Sequence, residues 1–317
     1  MRIKFRIMSF WKQSPGPHWS HVIESLFQTK PYVLRKELPL QPNFTYDLVT
    51  SEHCDEIATL LKTQYQTYSG SRICLTGEQI SQHLKDGWIG IRIHDFGTVF
   101  SRPLGKLAFG QNIMKEDAGL VDFFCVHITR RQTGIGSRLL TALFYETSKV
   151  GRHVHLFQKE GYPLVGLPHL WASSYCWRKR MQYVDMSIQK SLVNHIVTKV
   201  DSSHLPIGSA CWNSSLAINH TDIYECDGIY VGITDTFHRS VPDGNTIGEV
   251  SWVSGKEKNK MTAALEAIVD TCKYDVLLMD STLPHIEEQW SKDARYAYYI
   301  FNAQSLRFFD VKPSLTF

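Results

Sequence analysis

The sequence lacks the patterns that mark several common protein classes. Its 317 residues contain no run of about 20 apolar residues, so no segment is expected to span a bilayer as a helix. They contain no low-complexity segment and no block of lysines and arginines, and 34 basic residues nearly balance 31 acidic ones. This balance argues against nucleic-acid binding by bulk electrostatics. The basic start has no apolar run of seven residues, so we expect no secretory signal and a cytoplasmic protein.

Metal and disulfide motifs are also missing. Seven cysteines are scattered without any CxxC spacing, which argues against structural zinc and against a disulfide framework. His153 and His155 alternate along a strand without a third ligand nearby in sequence, so we expect no metal site. A hydrophobic content of 43% supplies ample material for a core, and the length favours two modest domains or one large one.

Helix and strand patterns alternate from Tyr46 onward, after a proline-rich start that predicts an irregular arm. The order of strand, strand, strand and helix predicts an α/β arrangement built on a mixed sheet. The second half repeats the same helix-then-strand order. The predicted helices are 55–65, 76–84, 134–150, 260–273 and a short one at 286–290, and the predicted strands are 88–93, 104–111, 120–126, 227–233, 247–253, 275–279 and 295–302.

The strongest local signal is an apolar strand at 121–127 followed by the spacing Arg131-x-x-Gly134-x-Gly136. A glycine-rich turn that opens a helix leaves backbone N–H groups free to face an anion such as a pyrophosphate. The spacing is similar to the acyl-CoA pattern of the GNAT acyltransferase superfamily and differs from the dinucleotide fingerprint. A tight strand-to-helix connection whose glycines merely turn the chain explains the six residues equally well.

Further segments favour the acyl-CoA-binding turn over the purely structural turn, because they match segments of one protein family and occur in the same order along the chain. With them the sequence resembles the N-myristoyltransferase (glycylpeptide N-tetradecanoyltransferase) family, as a divergent and shortened relative. Between about residues 186 and 247 no similarity to the family is found, and the chain is shorter there. The similar segments are 10–17, 34–37, 43–47, 123–127, 165–166, 171–174, 274–276 and 298–302.

The resemblance implies a fold of two fused GNAT-like halves that form one saddle-shaped sheet with flanking helices, the second half being truncated. On this basis residues 1–45 form an arm over the acyl-CoA site, 46–190 the acyl-CoA-binding half and 191–317 the peptide-binding half. The implied activity moves a myristoyl group from myristoyl-CoA to the N-terminal glycine amine of a protein by direct attack. We expect a monomer with at most transient membrane contact, and no metal.

The same resemblance assigns roles to individual residues. Backbone N–H groups of Phe123 and Phe124 are expected to form an oxyanion hole, since donors fixed beside a thioester carbonyl stabilise charge that appears in the transition state. The carboxylate of Phe317 is expected to be the general base. The expected acyl-CoA-binding residues are Ser9, Phe10, Trp11, Phe124, Cys125, Val126, Arg131, Gln132, Thr133, Gly134, Ile135, Gly136 and Ser137, and the expected peptide-binding residues are Tyr68, Trp171, Ser173 and Asp293.

Departures from the family keep two other functions open. Residues 66–72 contain no carboxylate where the family has an acidic run, and Ala172 replaces a histidine of the family. The chain is then either a GNAT-type transferase of a shorter acyl group, such as acetyl, or a binding protein that holds acyl-CoA or a lipidated peptide without turnover. Cys125 is a candidate nucleophile, but its place within an apolar strand favours a small buried hydrophobe.

Overall fold

The structure is a computed structural model, which describes residues 32–33, 39–65, 71–109, 112–161, 171–179, 196–200, 221–240, 243–254, 257–280, 290–304 and 314–315. Within these ranges the helices are α1 Cys54–Gln64, α2 Gly77–Lys85, α3 Ile135–Lys149 and α4 Lys258–Thr271. The strands are β1 Tyr32–Val33, β2 Asp47–Leu48, β3 Arg72–Ile73, β4 Ile89–Ile93, β5 Gly97–Phe109, β6 Asn112–Val126, β7 Val154–Glu160, β8 Trp171–Lys179, β9 Val197–Val200, β10 Thr221–Cys226, β11 Ile229–Arg239, β12 Thr246–Val253, β13 Val276–Asp280, β14 Ser291–Phe301, β15 Ala303–Gln304 and β16 Ser314–Leu315.

The chain folds into two compact units. Among the described residues, the first unit comprises those up to 65, then 73–172 and 297–315, and the second comprises 71–72 and 173–296. None of the helices in these ranges is both long and apolar enough to cross a membrane. The function predicted for each half of the chain stays a prediction at this point.

The first unit is built on the strand order β2, β4, β5, β6, β7. The first four strands pair antiparallel, and β7 then runs parallel to β6. Parallel neighbours need a crossover, which α3 provides. Leucines at 139, 140 and 143 line the inner face of α3 and pack against Ile91, Val99 and Val121 of the sheet. This helix–sheet contact forms the core of the unit.

The second unit repeats this plan with the strand order β9, β10, β11, β12, β13. The strands from β9 to β12 pair antiparallel, while β13 runs parallel to β12 after the crossover helix α4. The apolar face of α4, with Leu265, Ile268 and Val269, packs on Val231 and Val250. Each unit therefore contains a strand–helix–parallel strand arrangement with its own core.

The predicted α/β class with a mixed sheet is confirmed, and the predictions at 55–65, 76–84, 134–150 and 260–273 correspond to α1 to α4. Two strands were predicted too short, since β5 begins at Gly97 and β6 at Asn112. A proline in β5 and a charged stretch in β6 interrupt the alternation of apolar and polar residues by which a strand is predicted. Strand β7 was expected only around His153 and His155, and strands β8 to β10 were missed. The prediction of an irregular arm is wrong at Tyr32–Val33, which forms a strand paired with β15. Residues 1–31 lie outside the described residues, as does the helix predicted at 286–290 except for residue 290.

Candidate functional site

In the first unit, the pairing between strands β6 and β7 ends before either strand does. Their parallel register runs from Ala118↔Val154 to Val121↔Phe157 and then stops, although β6 continues to Val126 and β7 to Glu160. Just beyond the last pair the rings of Phe124 and Phe157 meet edge to face, with centroids 6.5 Å apart. Within the part of the chain that the structure describes, backbone groups of β6 beyond Val121 therefore have no strand partner on the β7 side.

A β-bulge lies on β6 directly after this point. Thr98 pairs with Cys125 and Phe100 with Asp122, so Val99 alone faces both Phe123 and Phe124. A bulge of this kind leaves one residue outside the ladder and turns its backbone groups in a new direction. Phe123 adopts φ 45°, the left-handed region that a residue with a bulky side chain rarely occupies. The backbone is thus strained where the two strands separate.

Aromatic contacts hold the Phe123 side chain and so fix the bulge. The Phe123 ring is 5% exposed and stacks on Trp88 at 5.6 Å between centroids. Phe100 meets it edge-on at 5.9 Å, and the His83 ring lies 6.2 Å away. We call His83, Trp88, Phe100 and Phe123 the aromatic box. Each aromatic pair contributes about 0.5–1.5 kcal/mol beyond burial, enough together to offset local strain of about 1–3 kcal/mol.

An ion pair engages the backbone of the same bulge. The Phe123 N–H donates to Oδ1 of Asp122 at 2.8 Å, and the Arg102 guanidinium donates to Oδ2. The guanidinium also lies over the Trp88 ring, 5.1 Å from its centroid. The Arg102 and Asp122 side chains are only 9% and 22% exposed. Neither residue was predicted from the sequence, where the available signal is Asp122, the one charged residue in the apolar stretch 120–126.

The connection from β6 to α3 is fixed by the end of α1. The His127 N–H donates to the carbonyl of Phe96 at 2.8 Å, and the Ile128 N–H donates to Oε1 of Gln64 at 3.2 Å. The Arg131 guanidinium donates to the carbonyl of Gln64 at 2.8 Å and to that of Val126 at 3.2 Å. Arg131 therefore shapes the loop through two carbonyls, and a guanidinium has five N–H donors, so others remain for an anion.

The N-terminus of α3 faces outward without a side-chain cap. Gly134 is its N-cap, with φ 89°, and the first turn contains no acidic residue. The first N–H groups of a helix lack intrahelical partners and carry partial positive charge. A Cβ at Gly136 would lie 3.0 Å from Cζ of Phe124, so glycine there lets the Phe124 ring pack against the helix. The helix start and the bulge residue thus lie side by side.

Cations surround this helix start. The Arg130 guanidinium lies over the Phe96 ring at 4.3 Å and the Arg138 guanidinium over the Phe44 ring at 5.7 Å. Both side chains are exposed, as is Arg131. Three guanidinium groups beside an uncapped helix N-terminus form a setting that favours a multiply charged anion such as a pyrophosphate.

Two titratable groups near the bulge stay neutral at physiological pH. Burial raises the pKa of the Cys125 thiol to about 11, although Arg131 opposes the shift. Burial also raises the pKa of Tyr65, and the charges of Asp122 and Glu160 add to this effect. A protonated, 3% exposed thiol is no nucleophile, which agrees with the interpretation of Cys125 as a small hydrophobe.

The predicted site residues fall into three groups. Residues 123–126 and 131–137 come together around the bulge and the start of α3. Trp171 and Ser173 lie on β8 and Asp293 on β14, where only the backbone is described. The predicted residues that lie outside the described ranges are Ser9, Phe10, Trp11, Tyr68 and Phe317.

The last described residues lie on the first unit. Leu315 pairs with Leu107 of β5, whereas the bulge faces Val99, eight residues away along the same strand. Phe317, whose carboxylate is predicted as the base, lies two residues further along the chain and outside the described residues, so its role stays a prediction.

Comparison with known proteins gives a fold. A scan against protein-family models finds no match, and no curated protein matches by sequence. Three structures of Saccharomyces cerevisiae N-myristoyltransferase with bound myristoyl-CoA match at TM-scores of 0.61, 0.64 and 0.62 with 14–15% identity, one of them also holding inhibitors. The matches cover 95–96% of this chain and 89–93% of the yeast chains. At this identity the likeness concerns architecture, and the chain has the N-myristoyltransferase fold.

Proposed function

We propose that this protein is an acyl-CoA-dependent N-acyltransferase, and specifically a protein N-myristoyltransferase acting on an N-terminal glycine. The observation that carries the proposal is the bulge at Phe123–Phe124, which adjoins the uncapped start of α3 where β6 and β7 separate. Myristoyl-CoA is bound by the yeast structures that share the fold. An activated thioester and a multiply charged diphosphate match the two halves of this site.

Binding of the donor begins with its phosphates. In the proposed mechanism the N–H groups at the start of α3, together with Arg130, Arg131 and Arg138, hold the CoA pyrophosphate. The pantetheine then follows β6 past Val126 and Cys125 toward the bulge. This path places the thioester carbonyl beside Phe124, where β7 no longer occupies the backbone of β6.

Transfer occurs by direct attack of the acceptor amine on the thioester carbonyl. The new C–N bond forms, the C–S bond breaks, and CoA leaves as the thiolate, while the amine proton passes to a base. An N–H donor at the bulge stabilises the oxyanion, an interaction worth about 10²–10³ in rate. Cys125 takes no part as a nucleophile, because its thiol stays protonated.

The acceptor side of the proposal rests on the resemblance. It includes an N-terminal glycine of a substrate protein, contacts from Tyr68, Trp171, Ser173 and Asp293, and the Phe317 carboxylate as base. A one-residue C-terminal extension tests the base, since it moves the carboxylate away. We expect turnover to fall while acyl-CoA affinity is retained, and Phe317→Leu, which keeps the carboxylate in place, is the matched control. Unchanged turnover in the extended chain would assign the base elsewhere.

The activity itself is tested with a panel of acyl-CoA donors from acetyl to palmitoyl and a peptide that begins with glycine. Mass spectrometry of the peptide detects the added acyl group. We expect myristoyl-CoA to give the fastest transfer, and a peptide beginning with N-acetylglycine to remain unmodified. Preference for acetyl-CoA would replace the proposal by a short-chain transferase, and donor binding without transfer would replace it by a binding protein.

A further inference from the structure

We infer that Asp122 is a positioning residue that withholds the Phe123 N–H and leaves the Phe124 N–H as the oxyanion donor. The inference rests on the proposed function and narrows it. A bulge with two consecutive residues opposite one offers two candidate donors. One of them, the Phe123 N–H, already donates to Oδ1 of Asp122 at 2.8 Å.

The carboxylate is held in place by Arg102. The guanidinium binds Oδ2, so that Oδ1 points to the Phe123 N–H, and it rests on Trp88 at 5.1 Å. Hydrogen bonds to an ionised acceptor are roughly twice as strong as neutral ones. Both side chains are largely buried, so removal of either leaves a charge without its partner. Asp122 is thus a stable internal acceptor, which an incoming carbonyl does not readily displace.

The Phe123 ring is held from the other side. The aromatic box fixes the side chain while Asp122 fixes the N–H, so the strained φ of 45° is supported on two sides of one residue. Phe124 differs, because its ring turns toward Gly136 at the start of α3. Its peptide group therefore lies between the anchored residue and the proposed phosphate site, where the thioester carbonyl is expected.

Two arrangements make opposite predictions. If Asp122 positions the Phe124 N–H, loss of the carboxylate lets the bulge relax and slows transfer. If Asp122 merely competes with substrate for the Phe123 N–H, its loss exposes a second donor and speeds transfer. The sign of the effect on kcat decides between them.

The kinetic test compares Asp122→Ala with Asp122→Asn and with Asp117→Asn, an exposed carboxylate on the same strand. We expect kcat for myristoyl transfer to fall about 10²-fold in Asp122→Ala, the loss typical of a slightly misplaced reacting group. The dissociation constant for myristoyl-CoA should change by no more than about twofold, because the start of α3 is intact. Asp122→Asn, whose amide oxygen still accepts from Phe123, should lose less, and Asp117→Asn should match the wild type.

A spectroscopic test reads the hydrogen bond itself, independent of turnover. Asp–Phe steps occur at 95–96 and 122–123, so labelling with ¹³C-carbonyl aspartate and ¹⁵N-phenylalanine gives one amide signal for each. The Phe96 N–H donates to the carbonyl of Ile93 at 2.9 Å and serves as the internal reference. Arg102→Met keeps an apolar side chain against Trp88 and removes the charge. It should shift the Phe123 signal and leave the Phe96 signal unchanged.

Failure of this inference differs from failure of the proposed function. Equal or faster transfer by Asp122→Ala, or a Phe123 signal unmoved in Arg102→Met, overturns the positioning role while an active wild type still supports acyl transfer. A wild type that neither binds nor uses any acyl-CoA overturns the proposed function and, with it, the role given to Phe124. Thermal melts of each variant identify any that fail to fold, and the Phe123 signal of Arg102→Met remains decisive in that case.

Discussion

The two units share the same order of strands and crossover helix, and each has a β-bulge at the equivalent place. In the first unit β6, α3 and β7 form the crossover, and in the second β12, α4 and β13 do so. The last parallel pair on β6 is at Val121, and the bulge at Phe123–Phe124 follows it. On β12 the last parallel pair is at Val250, and Ser251 is an extra residue between partners of Gly232 and Ile233. A bulge after the last parallel pair is therefore a feature of the repeated plan.

The chemistry at the two equivalent places differs. The N-cap residue of α3 is Gly134, whereas that of α4 is Glu257, whose carboxylate makes no hydrogen bond to the helix N–H groups but forms an ion pair with Lys260 at 3.0 Å. A carboxylate at a helix N-terminus satisfies the dipole and repels a second anion. The β6 bulge is held by rings and an ion pair, while the Ser251 hydroxyl is closed off by Thr234. A carboxylate thus stands at the start of α4 but not at the start of α3, and the hydroxyl at the second bulge has a side-chain partner.

The largest effect is expected when Gly134, the N-cap residue of α3, is replaced by glutamate, the residue type at the N-cap of α4. Gly134→Glu places a carboxylate where the CoA pyrophosphate is proposed to bind, so affinity for CoA should fall about tenfold or more, roughly 1.4 kcal/mol. Isothermal titration with CoA measures this loss. The β-carbon at φ 89° also strains the backbone by about 1–2 kcal/mol.

Gly134→Ala separates these two effects, since it adds the same strain without charge. Space is not the difference, because a Cβ at this position meets no atom within 4 Å. Glu257→Gln, the reciprocal change at α4, should leave CoA affinity unaltered. Equal affinities for Gly134→Glu and Gly134→Ala would show that the phosphates bind elsewhere and would remove the contrast between the helix starts.

The sequence indicated the open helix start but not the bulge beside it. The glycines at 134 and 136 and the helix that follows are local features, so periodicity and spacing predict them. The pairing of Val99 with two residues of β6, and that of Arg102 with Asp122, join segments about 20 residues apart through strand register. A shift of one residue in register would reverse every facing side chain, and register is set by tertiary packing. Phe317 lies outside the described residues, so its place in the site stays a prediction.

A smaller effect is expected from His155, one of two buried histidines in the described part of the first unit; the buried residues described in the second unit include no histidine. Burial, with the charges of Arg152 and His153, lowers the pKa of His155 well below 6.5, and its Nε2 lies 3.0 Å from the Ser101 hydroxyl. A pKa depressed on folding means that the unfolded chain takes up the proton first. Stability is then complete above pH 6.5 and falls as the pH drops below it, by up to about 1.4 kcal/mol per pH unit.

Denaturant unfolding between pH 7.5 and 5.5 measures this slope, with His155→Gln as the comparison. The variant removes the titrating group and keeps a polar side chain, so its unfolding free energy should depend less steeply on pH than that of the wild type. Carboxylates that titrate in both proteins cancel in the difference. Parallel slopes would show that His155 does not couple to folding in this range.

The smallest effect is expected at the second bulge, where Ser251→Ala tests whether that bulge is only structural. The Ser251 hydroxyl is fully buried and contacts Oγ1 of Thr234, which in turn lies 2.8 Å from Oγ1 of Thr221. Loss of the Ser251 hydroxyl leaves Thr234 with one hydrogen-bond partner fewer and should lower the free energy of unfolding by about 1 kcal/mol. Thr221→Val, at the more exposed end, should cost less. Acyl-CoA affinity and transfer should stay at wild-type values in both variants, because the proposed acyl-CoA site lies in the first unit and neither Ser251 nor Thr221 is among the proposed peptide-binding residues. A loss of transfer without a loss of stability in Ser251→Ala would give the second bulge a chemical role and end the distinction between the two bulges.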